Sequence, residues 1–257
     1  ENKFTNLKVR HELYCAGHLL EAALEHLKLN PNSKFFATIE KYIDHIAEVF
    51  GTDEGQKRGY PGHQEIELAL LKTYEYTKKD KFLKLAGYFL EERGRQPHYF
   101  ELEDQERATK EKSIDYSEFP SEIRDFVSWH MSGSKRNDHT YFQAHQPVYQ
   151  QQTAEGHSVR ALYMFTAMAD YARLIKDSDK IKACKTIWKN ITNRRMYIHG
   201  GVGSAHIGER FSFDYDLPND MAYAETCASI ALIFFTERLM RIGRSSEYTD
   251  IIERALY

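Results

Sequence analysis

A pattern of paired amphipathic helices recurs four times along the 257-residue chain and limits what it can fold into. The first helix is expected over residues 11–29, with Leu13, Leu20, Ala23, Leu24 and Leu27 on one helical stripe. Asn30-Pro-Asn-Ser33 ends it, since Asn and Pro stop a helix and Ser33 can cap the next. A partner follows over residues 34–50. The arrangement returns at 63–74 with 81–92, at 157–171 with 180–191, and at 225–241 with 247–256. Each pair has a short turn inside it, and longer, more varied loops join one pair to the next. Such a design is all-α and curls into a solenoid or closes into a double-layered toroid. The more apolar first helices, such as the one holding Ala228-Ser-Ile-Ala-Leu-Ile-Phe-Phe235, form the expected inner layer. The second helices, richer in Lys and Glu, form the outer one.

The middle section, residues 94–152, breaks the pattern. Residues 101–117 are strongly charged and read as a solvated excursion, residues 119–131 as isolated apolar anchors, and residues 132–139 as flexible. The net charge of −3 gives no basic surface for nucleic acid or membrane. No apolar run reaches the ~18 residues of a membrane span. Three cysteines, Cys15, Cys184 and Cys227, are too few and too scattered for a disulfide framework and suggest reduced thiols. The chain opens on Glu1-Asn-Lys and stops at Tyr257 within an amphipathic pattern, so a longer parent protein is expected.

The repeat also gathers chemistry. Three presumed inner helices open with His11, His63 and His157, and the fourth opens with Glu225. If the pairs curl about an axis, these N-termini converge on one face. A histidine at a helix start is ordinarily a cap or a structural hydrogen-bonder, but three at equivalent repeat positions point to a shared polar basin. Glu225 and Cys227 stand one residue apart at a helix N-terminus, where the dipole favours both carboxylate and thiolate. They make half of a zinc site; the plain alternative is a first-turn acid and a small core thiol. Three loops add candidates: Gly-rich Ile198-His-Gly-Gly-Val-Gly-Ser-Ala-His-Ile-Gly-Glu209, aromatic and acidic Phe211-Ser-Phe-Asp-Tyr-Asp-Leu-Pro-Asn219, and Gln143-Ala-His-Gln-Pro147. Glu209 and Glu225 flank the second of these, and two acids in one pocket permit an acid and a base of separated pKa.

Several blocks resemble the β-L-arabinofuranosidase family of glycoside hydrolases, family 127. They are His11-Glu-Leu-Tyr-Cys-Ala-Gly-His18, Gly62-His-Gln-Glu-Ile-Glu67, Gln143-Ala-His-Gln-Pro-Val148, Gly156-His-Ser-Val-Arg-Ala161, Met196-Tyr-Ile-His-Gly-Gly-Val-Gly-Ser204, Gly208-Glu209, Asp214-Tyr-Asp-Leu-Pro-Asn219 and Tyr223-Ala-Glu-Thr-Cys-Ala-Ser229. They run in order from one end of the chain to the other. The resemblance implies that residues 1–257 are part of an (α/α)6 catalytic barrel, with further hairpins and β-sandwich domains outside this chain. It implies a retaining hydrolase in which a zinc-bound cysteine thiolate attacks an L-arabinofuranosyl unit and a glutamic acid protonates the leaving oxygen. Carried over by motif, Glu209 resembles the acid/base, and Glu225 and Cys227 the zinc ligands, with Glu225 also near the sugar. His63 and His157 resemble sugar-contacting histidines; the first block offers His11 or His18, and the repeat favours His11.

One departure stands out. The family's nucleophile and last zinc ligand form a Cys-Cys pair downstream of Glu-x-Cys, and no cysteine follows Cys227 here. The resemblance therefore implies that the remaining Zn2+ ligands lie beyond Tyr257 and that these residues alone are inactive. The implied partner is an arabinose-containing oligosaccharide or glycopeptide, with no nucleic acid or membrane, and a homodimer through outlying domains. Reduced cysteines suggest a cytoplasmic setting. Two other readings stay open: a metal-independent six-hairpin sugar hydrolase or epimerase, and an inactive sugar- or protein-binding helical toroid.

Overall fold

The described residues form nine α-helices in a computed structural model, which describes residues 3–110, 120–121 and 138–257. The helices are α1 (Glu12–Leu29), α2 (Lys34–Val49), α3 (Ile66–Thr77), α4 (Asp80–Glu92), α5 (Tyr99–Lys110), α6 (Ser158–Leu174), α7 (Ser178–Arg194), α8 (Thr226–Ile242) and α9 (Ser246–Leu256). Among the described residues the only β-type pairing is isolated bridges, such as His157 with Arg210 and Met196 with Val202. The chain is all-α, as the hydrophobic periodicity requires. No helix is long and apolar enough to cross a membrane, among the described residues.

Eight of these helices form the four expected pairs: α1 on α2, α3 on α4, α6 on α7 and α8 on α9. The first members pack side by side in chain order, α1 to α3 to α6 to α8. Their sequences explain the layering. Helix α6, enclosed by α3, α4, α7 and α8, buries residues around most of its circumference, including Leu162, Met164, Phe165, Met168 and Ala169. Helix α2 buries only the stripe Phe36, Ile39, Ile43 and Ile46 and leaves its other face to water. Each such side chain contributes roughly 1.5–3 kcal/mol when fully buried.

The turns inside the pairs follow local chemistry. Ser33 caps α2, its Oγ accepting from the Phe36 N–H at 2.9 Å. Asp177 caps α7 by accepting from the N–H groups of Asp179 and Lys180, each at 3.0 Å. The third helix starts at Ile66 rather than at His63. Gly62 lies directly on the Leu7 and Lys8 backbone, where a Cβ would fall 2.2 Å from the Lys8 carbonyl oxygen, and this extended contact delays the first turn.

The charged excursion expected at residues 101–117 is in part a helix, α5. It buries Phe100 against Tyr60 and Phe142. Its Glu103 carboxylate is buried and accepts from the N–H groups of Leu7 (2.7 Å) and Lys8 (3.1 Å). Charge density hid two buried positions that secure the N-terminal segment. The remainder of that excursion, and most of residues 119–139, lie outside the described residues. Asp138 and His139 are placed and held: Arg210 pairs with Asp138 at 2.9 Å, and Glu101 with His139 at 2.8 Å.

Candidate active site

The N-termini of α1, α3, α6 and α8 meet on one face. His11, His157 and Glu225 occupy the residues just before α1, α6 and α8, and His63 lies in the approach to α3. The three imidazoles form a row, with 5.7 Å between the centroids of His11 and His63 and 5.7 Å between those of His63 and His157. Tyr14, one turn into α1, packs edge-on to His63 at 4.6 Å, and Tyr141 packs on His157 at 5.8 Å. His18 is not in this row; it lies farther along α1, beside Glu21 and Glu65.

Glu209 closes the row. Its Oε2 lies 2.9 Å from His157 Nε2, and Tyr223 donates its phenol proton to Oε1 at 2.8 Å. The Glu209 carbonyl accepts from both the N–H and the hydroxyl of Ser158, each at 2.9 Å, so it serves an otherwise unpaired donor at the start of α6. The backbone at Glu209 is left-handed, with φ of 49°. Ala224, next to the other acid, is left-handed too, with φ of 40°. Such geometry costs a non-glycine residue roughly 1–2 kcal/mol and is held here by surrounding bonds, including Ala224 N–H to Gly203 O at 3.0 Å.

Glu225 is half-buried, and its Oε1 has no hydrogen-bond partner among the described residues. Burial, and then the neighbouring Glu209 charge, push its carboxyl up to about 6, against the opposing effect of Ser158. Cys227 is a free, exposed thiol in the first turn of α8. Burial, aided by the Cys227 charge among others, raises the phenols of Tyr14, Tyr163 and Tyr223. An orphaned buried oxygen beside a thiol fits a zinc ion, which takes both donor types.

The histidines are kept neutral. Burial lowers His11 and His157 and takes His63 well below its ordinary value, and in each case the Arg160 guanidinium adds to the effect. For His157 the Glu209 hydrogen bond works in the opposite direction. Arg160 is itself buried, stacked over Tyr141 and Phe142 at 5.0 and 5.2 Å, with Nη1 donating to the Gly62 carbonyl at 3.1 Å. A neutral imidazole offers one donor and one acceptor, which suits sugar hydroxyls.

The three candidate loops have different roles. The Gly-rich loop supports the basin from behind: Gly203, at φ of 79°, lies against Ser158, where a Cβ would be 2.9 Å from its Oγ. In the Gln143 loop, Gln143 is a buried hub. Gln143 Nε2 donates to the carbonyls of Tyr141 (3.0 Å) and Glu155 (2.9 Å), and its Oε1 accepts from Gln64 (2.9 Å). The 211–219 loop is anchored on the outer layer by Asp214, which accepts from Asn190 (2.9 Å), Arg194 (2.9 Å) and Arg195 (2.7 Å). Of its three rings Phe211 is buried, while Phe213 and Tyr215 are each at least 70% exposed.

Sequence reading missed Tyr14, Arg160, Tyr163 and Tyr223. A signal existed for two of them: Tyr14 and Arg160 each stand three residues after a helix-opening histidine, on the same helical face.

A repeated-hairpin toroid with an acid, a histidine row and a carboxylate–thiol pair on its N-terminal face defines the class. Residues 1–257 match the family described as β-L-arabinofuranosidase, GH127 catalytic domain, and the chain belongs to that family. It is 38% identical over 255 residues to a non-reducing end β-L-arabinofuranosidase of Bifidobacterium longum subsp. longum, covering 99% of this chain and 36% of that protein. It superposes on the crystal structure of a GH127 β-L-arabinofuranosidase from Geobacillus stearothermophilus T6 with a TM-score of 0.87 and 48% identity, covering 100% of this chain and 37% of that one. A second solved GH127 β-arabinofuranosidase matches at a TM-score of 0.80 and 35% identity, over 100% of this chain and 34% of that one. The fold is of the (α/α)6 type shared with these structures. The chain spans about a third of the length of the relatives it matches.

Proposed function

We propose that this chain supplies the sugar-binding basin and the acid/base of a retaining hydrolase that releases L-arabinofuranose from β-linked arabinosides. The observation that carries the reading is the Glu209 carboxyl, held between a neutral histidine and a tyrosine at the end of the histidine row. In this role Glu209 protonates the leaving glycosidic oxygen and afterwards takes a proton from water. Tyr223 and His157 fix the carboxyl's orientation. His11, His63 and His157 bind the sugar hydroxyls, with Glu225 alongside. Arg160 keeps this row uncharged and so preserves its acceptors.

Glu225 and Cys227 would hold zinc together with cysteine ligands outside this chain. When bound, zinc supplies the charge that keeps a coordinated sulfur deprotonated at neutral pH. The unpartnered Glu225 Oε1 and the free Cys227 thiol support that assignment. The substrate class is an arabinose-containing oligosaccharide or glycopeptide.

The test uses the protein as its gene encodes it. Glu209→Gln is expected to abolish release of arabinose from a glycan and to spare much of the first step on a nitrophenyl β-L-arabinofuranoside, whose leaving group departs without a proton. Equal turnover of the glycan by wild type and Glu209→Gln overturns the reading.

A further inference from the structure

Outside the basin, three metal-ligating side chains meet at a second place. His18 and Glu21 project from α1, and Glu65 precedes α3. One donor atom from each lies within 4.8 Å of the other two. His18 Nδ1 is 3.4 Å from the Glu65 oxygen and 3.9 Å from the Glu21 oxygen. Zinc bonds of about 2.0–2.2 Å in a tetrahedron set neighbouring donors roughly 3.3–3.6 Å apart, close to the separation of His18 from Glu65.

The second observation is Glu65 itself. The residue is 1% exposed, and its Oε1 has no hydrogen-bond donor among the described residues. A carboxylate so placed, beside a second carboxylate, either holds a proton or is balanced by a cation. The neighbouring cations are committed elsewhere. Lys72 binds Glu21 through Oε1, the oxygen not turned to His18. Arg93 lies against Glu67, Arg238 is held by Asp170 and Glu237, and Arg241 by Glu237 and Glu75. The site opens onto a cleft of about 410 Å³ lined by Glu21, Glu65, Lys72, Tyr163 and Phe234.

We propose that His18, Glu21 and Glu65 form a binding site for a divalent transition cation of the zinc class, distinct from Glu225 and Cys227. The imidazole donor favours such an ion over magnesium or calcium. The site staples α1 to the start of α3. Gly17 makes the close approach possible, since a Cβ there would fall 2.7 Å from Glu65 Cγ and 2.8 Å from the Ile66 nitrogen. Tyr14 lies edge-on to both His18 (4.5 Å) and His63 (4.6 Å), so the staple also steadies the histidine row. Lys72 orients Glu21 from behind, as outer partners of metal ligands do.

Cobalt(II) distinguishes the two sites, because thiolate coordination gives a charge-transfer band and nitrogen–oxygen coordination gives only weak d–d bands. The protein as encoded, carrying Cys227→Ser, is titrated with cobalt(II) and followed by absorbance and equilibrium dialysis. One ion with d–d bands is expected, and adding Glu65→Gln or His18→Ala is expected to weaken it at least tenfold. His18 is 42% exposed, so its truncation leaves the fold intact, checked by an unchanged circular dichroism spectrum. No such ion in the Cys227→Ser protein, or an affinity in both double variants unchanged from that of Cys227→Ser alone, overturns the proposal. Neither result bears on Glu209, whose test reads arabinose release.

Discussion

Glu209 and Asp214 stand five residues apart in one polar stretch, and the fold gives them opposite roles. Glu209 turns inward to two neutral partners, His157 and Tyr223. Asp214 turns outward to two arginines and an asparagine. Burial of Asp214 is outweighed by those hydrogen bonds, and its carboxyl is held down at about 2. It stays ionised at any ordinary pH and acts as an anchor. Glu209 is held by an imidazole and a phenol, groups that can exchange a proton with it. Acidity alone did not distinguish the two; the side chains that meet them do.

The sharpest way to break this contrast is to remove each acid in turn. Glu209→Gln is expected to lower kcat/KM on a β-L-arabinofuranosyl glycan by about 10²–10⁴-fold, the usual contribution of a general acid, while Asp214→Asn stays near wild type. Comparable losses in steady-state kinetics would erase the distinction. Tyr223→Phe removes one bond to the Glu209 carboxyl, and kcat is expected to fall roughly 3–10-fold, matching about 0.5–1.5 kcal/mol for a hydrogen bond.

Stability reads the other half of the comparison. The folded pKa of Asp214 lies below the ordinary ~3.9, so its stabilisation is full above about pH 4 and is lost as pH falls toward 2. Asp214→Asn is therefore expected to cost about 1 kcal/mol at pH 7, discounted for partial exposure, with the gap closing in acid. Thermal melts across pH check this, and a constant gap would refute the anchor. The smallest effect belongs to Phe213→Ala on the same loop, expected to change stability by under about 0.5 kcal/mol because the ring is exposed.

Much of the architecture was legible beforehand. All eight paired helices were expected close to where they lie, because amphipathic spacing, Ser33 and the charged turns are local signals. His11, His63, His157 and Glu225 were placed on one face by the repeat alone. Helix α5 escaped because Phe100 and Glu103 are sparse anchors among charges, and Glu103 is satisfied by backbone groups almost a hundred residues away. The Gln143 loop was a candidate only, since no sequence signal tells a glutamine facing carbonyls from one facing a sugar.

The pairing of helices, their layering and the face that gathers the histidines were already written in the residues, because period and caps act over a few positions. Which acid meets a histidine and which meets arginines was settled only by packing. So was the company kept by His18, which the first block could not separate from His11. Those contacts reach from Asp214 back to Asn190, Arg194 and Arg195, from Glu209 back to His157 and from His18 forward to Glu65, and the charge environment they create has no local trace in the chain.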